Sequence, residues 1–490
     1  MRINTDVKES SILTKKFSAE SQIYPSCAFG CILDALTIVK IPEGMSDSRP
    51  FGKMPISTSM VLSLKLQNIR TRSTSTDTTG NGMLAVTRFF KAMLLSGCIA
   101  IAGCACVPSS IDEELDKILA DVGNQYAADT RISVWEVKAN KTSDGWLIEG
   151  KTDRRDAFDE LNNRLHAKKM PVSVRVAVLP QDNVEIGDRA WALVNVSVAT
   201  IKKEPRFAVA ATTQALAGTP LRLLEFKTPF WRVQMPDGYI GWVHRLQIAR
   251  MSAKELADWN ASRRVVVTAR FTTLTSENGA TLAPLTAGSI VRFIEKQGNR
   301  VLVKLPDGHS GFLRTSDVRE TNAHFSFCDR LRREEPRAFV RQLLGTAKQL
   351  LGTPYLWGGM STNGVDCSGF VSLVWRLNGV ILSRDADQQI AQAKQLDVLC
   401  VEDIPAGSLV AFGQKNEAGE NVVRHIGIAL QNGDFIHSLG DVRIQSLSPN
   451  SPIYSAYFAE RLLGAYTIDL NLQDVPNANT LSNNAFYRVE

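Results

Sequence analysis

The feature that most constrains the fold is an internal repeat in the middle of the chain. The segments WRVQMPDGYIGWV and VLVKLPDGHSGFL align without gaps, and their prolines, Pro236 and Pro306, are 70 residues apart. Pro-Asp-Gly between alternating apolar strands predicts a tight hairpin, because proline fixes φ, aspartate caps the turn and glycine takes a positive φ. The repeat therefore predicts two copies of a small all-β domain.

The strand after each turn carries a further glycine and an aromatic residue. Gly241 and Gly311 indicate a bulge or a sharp bend. Trp242 and Phe312 are expected in the barrel core rather than against a ligand. The DGYIGWV motif resembles the end of bacterial SH3-like domains, and its second copy extends the resemblance. The resemblance implies two small SH3-like β-barrels, over residues 183–250 and 262–321.

At 490 residues the chain exceeds what one hydrophobic core supports, so several domains are expected. Helix and strand patterns predict a small mixed α/β segment over 108–182, before the repeat. A dense mixed charge run around 330–344 predicts a solvated linker that leads into a helix. Most of the formal net charge of +6 lies before Cys104. The near-neutral remainder gives no electrostatic reason to expect nucleic acid as a partner.

Residues 83–106 have the layout of a lipoprotein-type signal peptide. A basic flank, Arg88 and Lys91, precedes apolar and small residues up to Cys104. The four residues ending at Cys104 resemble a bacterial lipobox, in which the cysteine is lipidated, and Cys98 is a second candidate. The alternative is a buried apolar helix that contains small cysteines.

A lipobox at Cys104 resembles those of Gram-negative lipoproteins and implies anchoring in the cell envelope. Ala105 follows the cysteine where an aspartate would signal inner-membrane retention, so the outer membrane, on its periplasmic side, is expected. The chain would then contact the membrane by its lipid anchor only. Residues 1–82 lack clear periodicity and end in a polar tract, so they are expected to be disordered or to precede a true start at Met83.

One of the eight cysteines differs from the others in its surroundings. Cys367 begins the helical pattern CSGFVSLVWRL, directly after a glycine-rich loop. The free N–H groups and the dipole of a helix N-terminus stabilise a thiolate, and Asp366 and Ser368 indicate a polar, accessible helix end. The alternative, a small buried apolar residue, is expected for Cys328 and Cys400. We predict that Cys367 is a nucleophile.

A thiol nucleophile needs a base, and the base needs an orienting partner. The segment HIGIALQNGDFIH predicts a β-hairpin with its turn at Asn-Gly. This hairpin places His425 and His437 side by side, so that His425 can face Cys367 through one ring nitrogen and His437 through the other. Each histidine alone is more often a packing or surface residue. The chain has only six histidines, so their order after Cys367 favours catalysis.

Together with GTPYLWGG, RDADQQ and IPAGSLVAF, these motifs resemble the NlpC-type cysteine peptidases of bacterial cell walls. The resemblance covers residues 337–468 and implies a papain-like α+β fold, with residues 469–490 as a C-terminal tail. A member architecture with an N-terminal stabilising domain and two SH3-like barrels fits the order of elements. The whole is then a multidomain α+β protein, with two barrels before a papain-like peptidase.

The resemblance also implies roles for single residues. Cys367 matches the nucleophile, His425 the base and His437 the orienting residue. Tyr355 matches a tyrosine that helps to hold the oxyanion together with the backbone N–H of Cys367, whereas Trp357 is expected to pack as much as to contact substrate.

Four further positions complete the comparison with the family. Asp366 and Ser368 match positions that line the substrate groove. Ser408 stands where an aspartate is usual, which implies the loss of a surface hydrogen bond. Arg424 stands where a small residue is common and implies a narrower or more positive groove.

The resemblance further implies the reaction. It is hydrolysis of the γ-D-glutamyl to diamino acid amide bond, with meso-diaminopimelate as the diamino acid, in peptidoglycan stem peptides, and it needs no metal or organic cofactor. The first barrel would select stems with a free N-terminal L-alanine, as in recycling, and Glu204 and Glu225 are candidate residues for this. Two alternatives stay open: another amide hydrolysis or acyl transfer on the same scaffold, and an inert adaptor that binds the wall through its barrels.

Overall fold

The computed structural model describes residues 111–180, 185–473 and 475–488. The expectations for the signal peptide and for lipidation of Cys104 or Cys98 lie outside these residues. All described residues belong to one unit of mutually contacting elements. Within the described ranges, no helix is long and apolar enough to cross a membrane.

The described chain begins with a three-stranded sheet that two helices cover. Its elements are α1 (Ile111–Tyr126), β1 (Trp135–Thr142), β2 (Gly145–Thr152), α2 (Arg155–Ala167) and β3 (Val172–Val178). Strand β1 pairs antiparallel with β2, whereas β3 lies parallel to β2. Parallel pairing requires a crossover, which α2 supplies. Apolar residues of both helices and of the sheet form one core.

Two seven-stranded sheets follow and contain the sequence repeat. The first consists of β4 (Trp191–Val194), β5 (Val198–Lys202), β6 (Ala211–Leu216), β7 (Pro220–Lys227), β8 (Phe230–Gln234), β9 (Ile240–His244) and β10 (Ile248–Met251). After helix α3 (Ala253–Ala261), the second consists of β11 (Arg264–Val267), β12 (Phe271–Thr275), β13 (Thr281–Thr286), β14 (Ile290–Gln297), β15 (Arg300–Lys304), β16 (Ser310–Arg314) and β17 (Val318–Glu320). We call them the first and the second barrel.

The two barrels share one topology. Their strand orders are β10-β4-β7-β8-β9-β5-β6 and β13-β12-β16-β15-β14-β11-β17, which are the same arrangement read in opposite directions. Each barrel has its own apolar core. Trp242 and Phe312 are buried, as predicted. The predicted pair of SH3-like barrels is confirmed.

The Pro-Asp-Gly turns have the predicted chemistry. Gly238 has a φ of 86° and Gly308 a φ of 95°. The carboxylates of Asp237 and Asp307 accept the N–H two residues further on, at 3.0 and 3.1 Å. Each turn is therefore fixed by its own residues, as the sequence indicated.

The strand after each turn requires a glycine for a reason other than the predicted bulge. Strands β8 and β9 pair without a register shift at Gly241, and β15 and β16 do so at Gly311. The predicted bulge is therefore wrong. A Cβ on Gly241 would lie 2.5 Å from the side chain of Ile201, and one on Gly311 would lie 2.8 Å from Leu274. Glycine is required because a second strand of the barrel passes close by at this point.

Two helices connect the second barrel to the last domain, α4 (Thr321–Glu334) and α5 (Pro336–Gln349). The predicted solvated linker is thus largely helical. Phe325 and Cys328 of α4 are buried, and so is one of its arginines, Arg332, which pairs with Asp329. The dense charge run made this helix with a partly buried face difficult to predict from the sequence.

The last domain packs helices against an antiparallel six-stranded sheet of order β21-β26-β22-β23-β24-β25. Its elements are β18 (Met360–Ser361), β19 (Gly364–Val365), α6 (Cys367–Leu377), β20 (Val380–Ile381), α7 (Ala386–Ala391), β21 (Lys394–Gln395), β22 (Leu409–Lys415), β23 (Asn421–Ala429), β24 (Asp434–Leu439), β25 (Asp441–Ser446), α8 (Ala456–Ala459), β26 (Leu462–Thr467) and β27 (Asn479–Thr480). Helix α6 lies in the main core against β23 and β24. The predicted multidomain α+β fold, with barrels before an α+β domain, is confirmed.

The C-terminal segment packs back onto the other domains. Strand β27 pairs antiparallel with β20. The side chain of Asn484 donates to the carbonyl of Pro236 at 2.9 Å, and Arg376 of α6 donates to the hydroxyl of Tyr487 at 2.6 Å. The segment thereby ties the turn of the first barrel to the helix that begins at Cys367.

Candidate active site

Cys367 is the first residue of α6, and Asp366 is the N-cap. The Asp366 carboxylate accepts the N–H of Gly369 at 2.7 Å and the N–H of Gly358 at 2.9 Å. This carboxylate therefore fixes both the helix start and the glycine-rich loop before it. The sequence placed Cys367 in this position correctly.

A buried arginine, Arg384, holds the N-cap in turn. Its guanidinium pairs with Asp366 at 2.7 Å and donates to the hydroxyl of Ser368 at 2.9 Å. It also donates to the hydroxyl of Thr213, from β6 of the first barrel, at 2.8 Å. Asp366 and Ser368 line the groove described below, but their polar atoms are engaged in this network. A direct role of either in substrate binding stays a prediction.

The thiol of Cys367 is half-buried at the base of the groove. Burial and the Asp366 carboxylate raise its pKa to about 11, although the backbone N–H groups of Ser368 and Ile426 point at the sulfur and act in the opposite direction. The expected stabilisation of a thiolate by the helix N-terminus is therefore outweighed by desolvation. Cys367 is a neutral thiol in the free protein.

The two predicted histidines meet across the β23–β24 hairpin. Nε2 of His425 lies 2.8 Å from Nδ1 of His437, and Nε2 of His437 lies 2.9 Å from Oε1 of Gln445. With this oxygen as the acceptor, His437 carries its proton on Nε2 and accepts from His425 at Nδ1. His425 then carries its proton on Nε2, which leaves its Nδ1 free to accept one. Ile426, next to His425, points its N–H at the Cys367 sulfur, so the base and the thiol are neighbours.

Aromatic rings pack around the histidine pair. The ring of Phe458 lies 5.1 Å from that of His425 and 4.7 Å from that of His437, and Phe435 lies 4.8 Å from His437. Burial lowers the pKa of His425 to about 3, helped by His437, and lowers that of His437 to about 4. Both imidazoles are neutral at neutral pH.

Cys367 and His425 line one groove of about 810 Å³. Tyr355 lies beside the thiol, and burial together with the Asp366 carboxylate raises its pKa to about 12, so its hydroxyl stays protonated. Trp357 also lines the groove and is 68% exposed. This exposure argues against a packing role for Trp357, and its contact with substrate, the other half of the expectation, stays a prediction.

One end of the groove is formed by residues from outside the last domain. Thr212 and Tyr239 come from the first barrel and Arg131 from the turn between α1 and β1, opposite Asp385 and Asp387 of the last domain. The first barrel therefore contributes to the wall of the groove. Arg424 and Arg461 line the groove as well, in keeping with the expected positive character.

The acids proposed from sequence for the first barrel do not lie there. Glu225 is buried and pairs with Arg232 at 3.0 Å and with Lys151. Glu204 pairs with Arg206 at 2.5 Å. Neither lines the groove, because strong local arginine partners hold both elsewhere.

Three other positions test local predictions of burial. Cys328 is buried, as expected. Cys400 is exposed and donates to Asp403 at 2.9 Å, so the buried role predicted for it is wrong. Ser408 is 4% exposed. The surface position expected for this residue is therefore wrong.

Arg384, Gln445 and Arg131 were missed by sequence reasoning. Arg384 stands in the RDADQQ motif, and its burial depends on contacts with residues distant in the chain. The position of Gln445 near His437 could have been found from strand pairing. In the β24–β25 pair, Gln445 lies opposite Phe435, two residues along the strand from the partner of His437. No local pattern marks Arg131.

The profile of the NlpC/P60 family matches residues 352–467, and that of the bacterial dipeptidyl-peptidase Sh3 domain matches residues 201–248. Dipeptidyl-peptidase 6 of Lysinibacillus sphaericus is 27% identical over 54% of this chain and 94% of its own. A gamma-D-glutamyl-L-lysine dipeptidyl-peptidase of Bacillus subtilis is 28% identical over 41% of this chain and 61% of its own, less than two thirds of that protein.

A third relative establishes the family over the last domain. The "Probable endopeptidase" of Haemophilus influenzae is 34% identical over 25% of this chain and 74% of its own. Residues 352–467, which the family profile matches, contain the cysteine at the helix N-terminus and the histidine pair on the adjoining sheet. The chain therefore belongs to the NlpC/P60 family of cysteine peptidases.

Proposed function

We propose that this protein is a cysteine endopeptidase that hydrolyses the γ-D-glutamyl to diamino acid amide bond of peptidoglycan stem peptides. The observation that carries the proposal is the Cys367 thiol in one groove with the hydrogen-bonded chain of His425, His437 and Gln445. The names of the relatives, a gamma-D-glutamyl-L-lysine dipeptidyl-peptidase among them, support the choice of bond.

The proton path follows from the tautomers. His425 accepts the thiol proton at Nδ1 while the Cys367 sulfur attacks the γ-carbonyl carbon of D-glutamate. His437 and Gln445 stabilise the imidazolium that forms, because His437 accepts the Nε2 proton of His425. His425 then protonates the leaving amine as the C–N bond breaks, and the product stays attached as a thioester. A water molecule deprotonated by His425 hydrolyses the thioester and restores the thiol.

The negative oxygen of the tetrahedral intermediates needs donors. The backbone N–H of Cys367 is in the first turn of α6, where N–H groups have no partner within the helix. The protonated hydroxyl of Tyr355 is the second donor. Both lie at the same end of the helix as the sulfur, as an oxyanion hole requires.

The end of the groove that Arg131, Thr212 and Tyr239 form, which we call the closed end, suits a cation. Asp385 and Asp387 face it, and Tyr239 adds a hydroxyl oxygen. Burial and Asp385 raise the pKa of Tyr239 to about 12. A free N-terminal ammonium of L-alanine matches this end, whereas a glycan-linked N-terminus brings no charge and needs space that the first barrel occupies. We therefore assign a preference for released peptides with a free amino end, as in recycling.

Arg424 and Arg461 also line the groove. A diaminopimelate residue at the third stem position has a distal carboxylate that lysine lacks, and these two cations favour it. We assign meso-diaminopimelate as the preferred third residue on this basis. A lysine tripeptide with lower kcat/KM, and a smaller difference in Arg424→Ala, would support this assignment, and equal rates would remove it.

Such an enzyme acts in the cell envelope. Its substrate is a peptide derived from peptidoglycan, and nucleic acid is not expected as a partner. We propose that the chain is lipidated at Cys104, with Cys98 as the alternative, and is held at the outer membrane by that anchor. Mass spectrometry of the native N-terminal peptide tests this assignment. An unmodified N-terminus that starts before Met83 would contradict it.

The test of the reaction uses L-Ala-γ-D-Glu-meso-diaminopimelate, with products followed by mass spectrometry. We expect L-Ala-γ-D-Glu and free diaminopimelate, with the rate at least about 10³-fold lower in Cys367→Ala. Cys400→Ser is the matched control, since Cys400 is the exposed thiol outside the groove. Cleavage of a different amide would favour another hydrolase on this scaffold, and no cleavage at all would favour the wall-binding adaptor.

A further inference from the structure

The turn between α1 and β1 reaches from the N-terminal α/β segment to the peptidase domain. The carbonyl of Arg131 accepts the N–H of Ile240, in β9 of the first barrel, at 2.7 Å. The N–H of Arg131 donates to the carboxylate of Asp129 at 2.9 Å, so the turn is also closed on itself. This turn is therefore fixed to the strand that follows Tyr239.

The guanidinium of Arg131 is shared by three carboxylates. It lies 3.0 Å from Asp385, 2.8 Å from Asp387 and 2.8 Å from Asp129. The side chain of Gln388 also donates to Asp129, at 2.6 Å. Asp385 and Gln388 form the capping box of α7. The turn therefore contacts both capping residues of this helix, Asp385 through Arg131 and Gln388 through Asp129.

The charges of this cluster do not cancel. Three carboxylates face one guanidinium, and the nearby Arg384 already pairs with Asp366. Arg131, Asp385 and Asp387 all line the closed end of the groove, beside Tyr239. A cationic ligand is therefore favoured there, but only if the carboxylates are held together against their mutual repulsion.

We propose that Arg131 is a positioning residue for the substrate, and that it holds Asp385 where this carboxylate receives the amino end of the peptide. The inference rests on the proposed function and adds the N-terminal α/β segment to the substrate site. Arg131 does not touch the reacting bond. Its loss weakens binding of the free amino end and leaves the chemical step intact.

If Arg131 were only a structural contact between domains (a clip), its substitution would have different effects from those of a positioning residue. If Arg131 only held the domains together, its loss would lower thermal stability and kcat along with binding, and free and acylated peptides would suffer equally. A positioning role instead raises KM for the free peptide alone. Lysine keeps one charge without the planar fork of donors, so it restores binding only in part.

The experiment compares Arg131→Gln, Arg131→Lys and the wild-type protein on the tripeptide with free and with acetylated amino ends. Arg154→Gln is the matched control, because Arg154 lies in the same segment and pairs only locally, with Asp156 at 2.5 Å. We expect Arg131→Gln to raise KM for the free peptide about tenfold, the scale of one lost charged contact, with kcat unchanged. Arg131→Lys should lie between, and the control should match wild type.

Two results would overturn the inference by itself. One is an unchanged KM in Arg131→Gln; the other is an equal loss on both peptides together with a lower melting temperature, which indicates a clip. Equal cleavage of free and acetylated peptide by the wild-type protein is a separate result. It would remove the proposed preference for a free amino end, and the inference with it.

Discussion

The two barrels share a topology and a turn, yet only one of them forms part of the catalytic groove. Corresponding residues are 70 positions apart in the chain. Tyr239, after the first turn, is 7% exposed and lines the groove. Its counterpart His309 has a side chain that is 80% exposed and pairs only with Asp307 of its own turn. The turn sequence therefore determines a conformation but not a function.

The barrels also differ in a few side chains that contact the peptidase domain. In β6, Gln214 accepts hydrogen bonds from the Met360 N–H at 2.9 Å and the Ser361 hydroxyl at 3.0 Å, and Thr213 accepts one from Arg384. The residues at the corresponding positions of β13 are Pro284 and Ala283, which cannot make such bonds. One copy of the repeat has thus become part of the enzyme site, and the other has not.

The largest difference between the barrels is expected at their arginine contacts with the peptidase domain. Arg384→Ala leaves Asp366 buried without its partner, so the free energy of unfolding should fall by about 3–5 kcal/mol and activity should be lost. Arg270→Ala removes only hydrogen bonds from the second barrel, to Thr353 at 2.8 Å and Leu351 at 3.3 Å. It should cost about 1 kcal/mol. Urea unfolding measures both, and equal losses would contradict the asymmetry.

The buried histidines predict an acid-sensitive fold. The folded pKa values of His425 and His437 lie below the unfolded value of 6.5, so the unfolded chain binds more protons between about pH 4 and 6.5. Stability present above pH 6.5 is therefore lost as the pH falls, by about 1.4 kcal/mol per pH unit and histidine.

Two histidine variants check this pH dependence by urea unfolding. His437→Asn should reduce the slope, while His309→Asn, in the exposed turn of the second barrel, should leave it unchanged. A slope that is the same in all three proteins would show that other groups cause the acid sensitivity.

A smaller effect is expected at the strand that seals the groove. Gln214→Ala leaves the buried N–H of Met360 without its acceptor, and the free energy of unfolding should fall by about 1–3 kcal/mol. Pro284→Ala is the control at the corresponding place, where the residue is exposed. If both substitutions are neutral, β6 does not bind the peptidase domain in the way described.

The smallest effect concerns the two residues after the turns. Tyr239→Phe removes one hydroxyl oxygen from the closed end, so KM for the free tripeptide should rise about fivefold, the scale of one hydrogen bond, with kcat unchanged. His309→Phe should change neither constant. An effect of equal size in both variants would indicate a general influence of the barrels rather than a contact with substrate.

How far the sequence predicted the molecule depended on the range of the interactions. Cys367, His425 and His437 were predicted because each lies in a local pattern, a helix start or a hairpin end, and the pairing of adjacent strands brings them together. The Pro-Asp-Gly turns were predicted for the same reason. Patterns of a few residues contain the information for these features.

The missed features depend on contacts between distant segments. Arg384 is buried among contacts with Asp366, Ser368 and Thr213, the last from another domain. Arg131, near the start of the described chain, contacts Asp385. The raised pKa of Cys367 likewise reflects burial by the whole site, which a helix start alone does not reveal. The guesses at Glu204 and Glu225 failed because nothing local distinguishes a paired acid from a free one.

The central claim is that the first barrel is part of the substrate site and makes it specific for a free amino end. The most direct test is the ratio of kcat/KM values for L-Ala-γ-D-Glu-meso-diaminopimelate with free and with acetylated amino ends, in the wild-type protein. We expect a ratio of about 100 or more in favour of the free peptide, because acetylation removes the positive charge that Asp385 and Asp387 would receive, and the acetyl group needs space that the first barrel occupies. Equal kcat/KM values would contradict it.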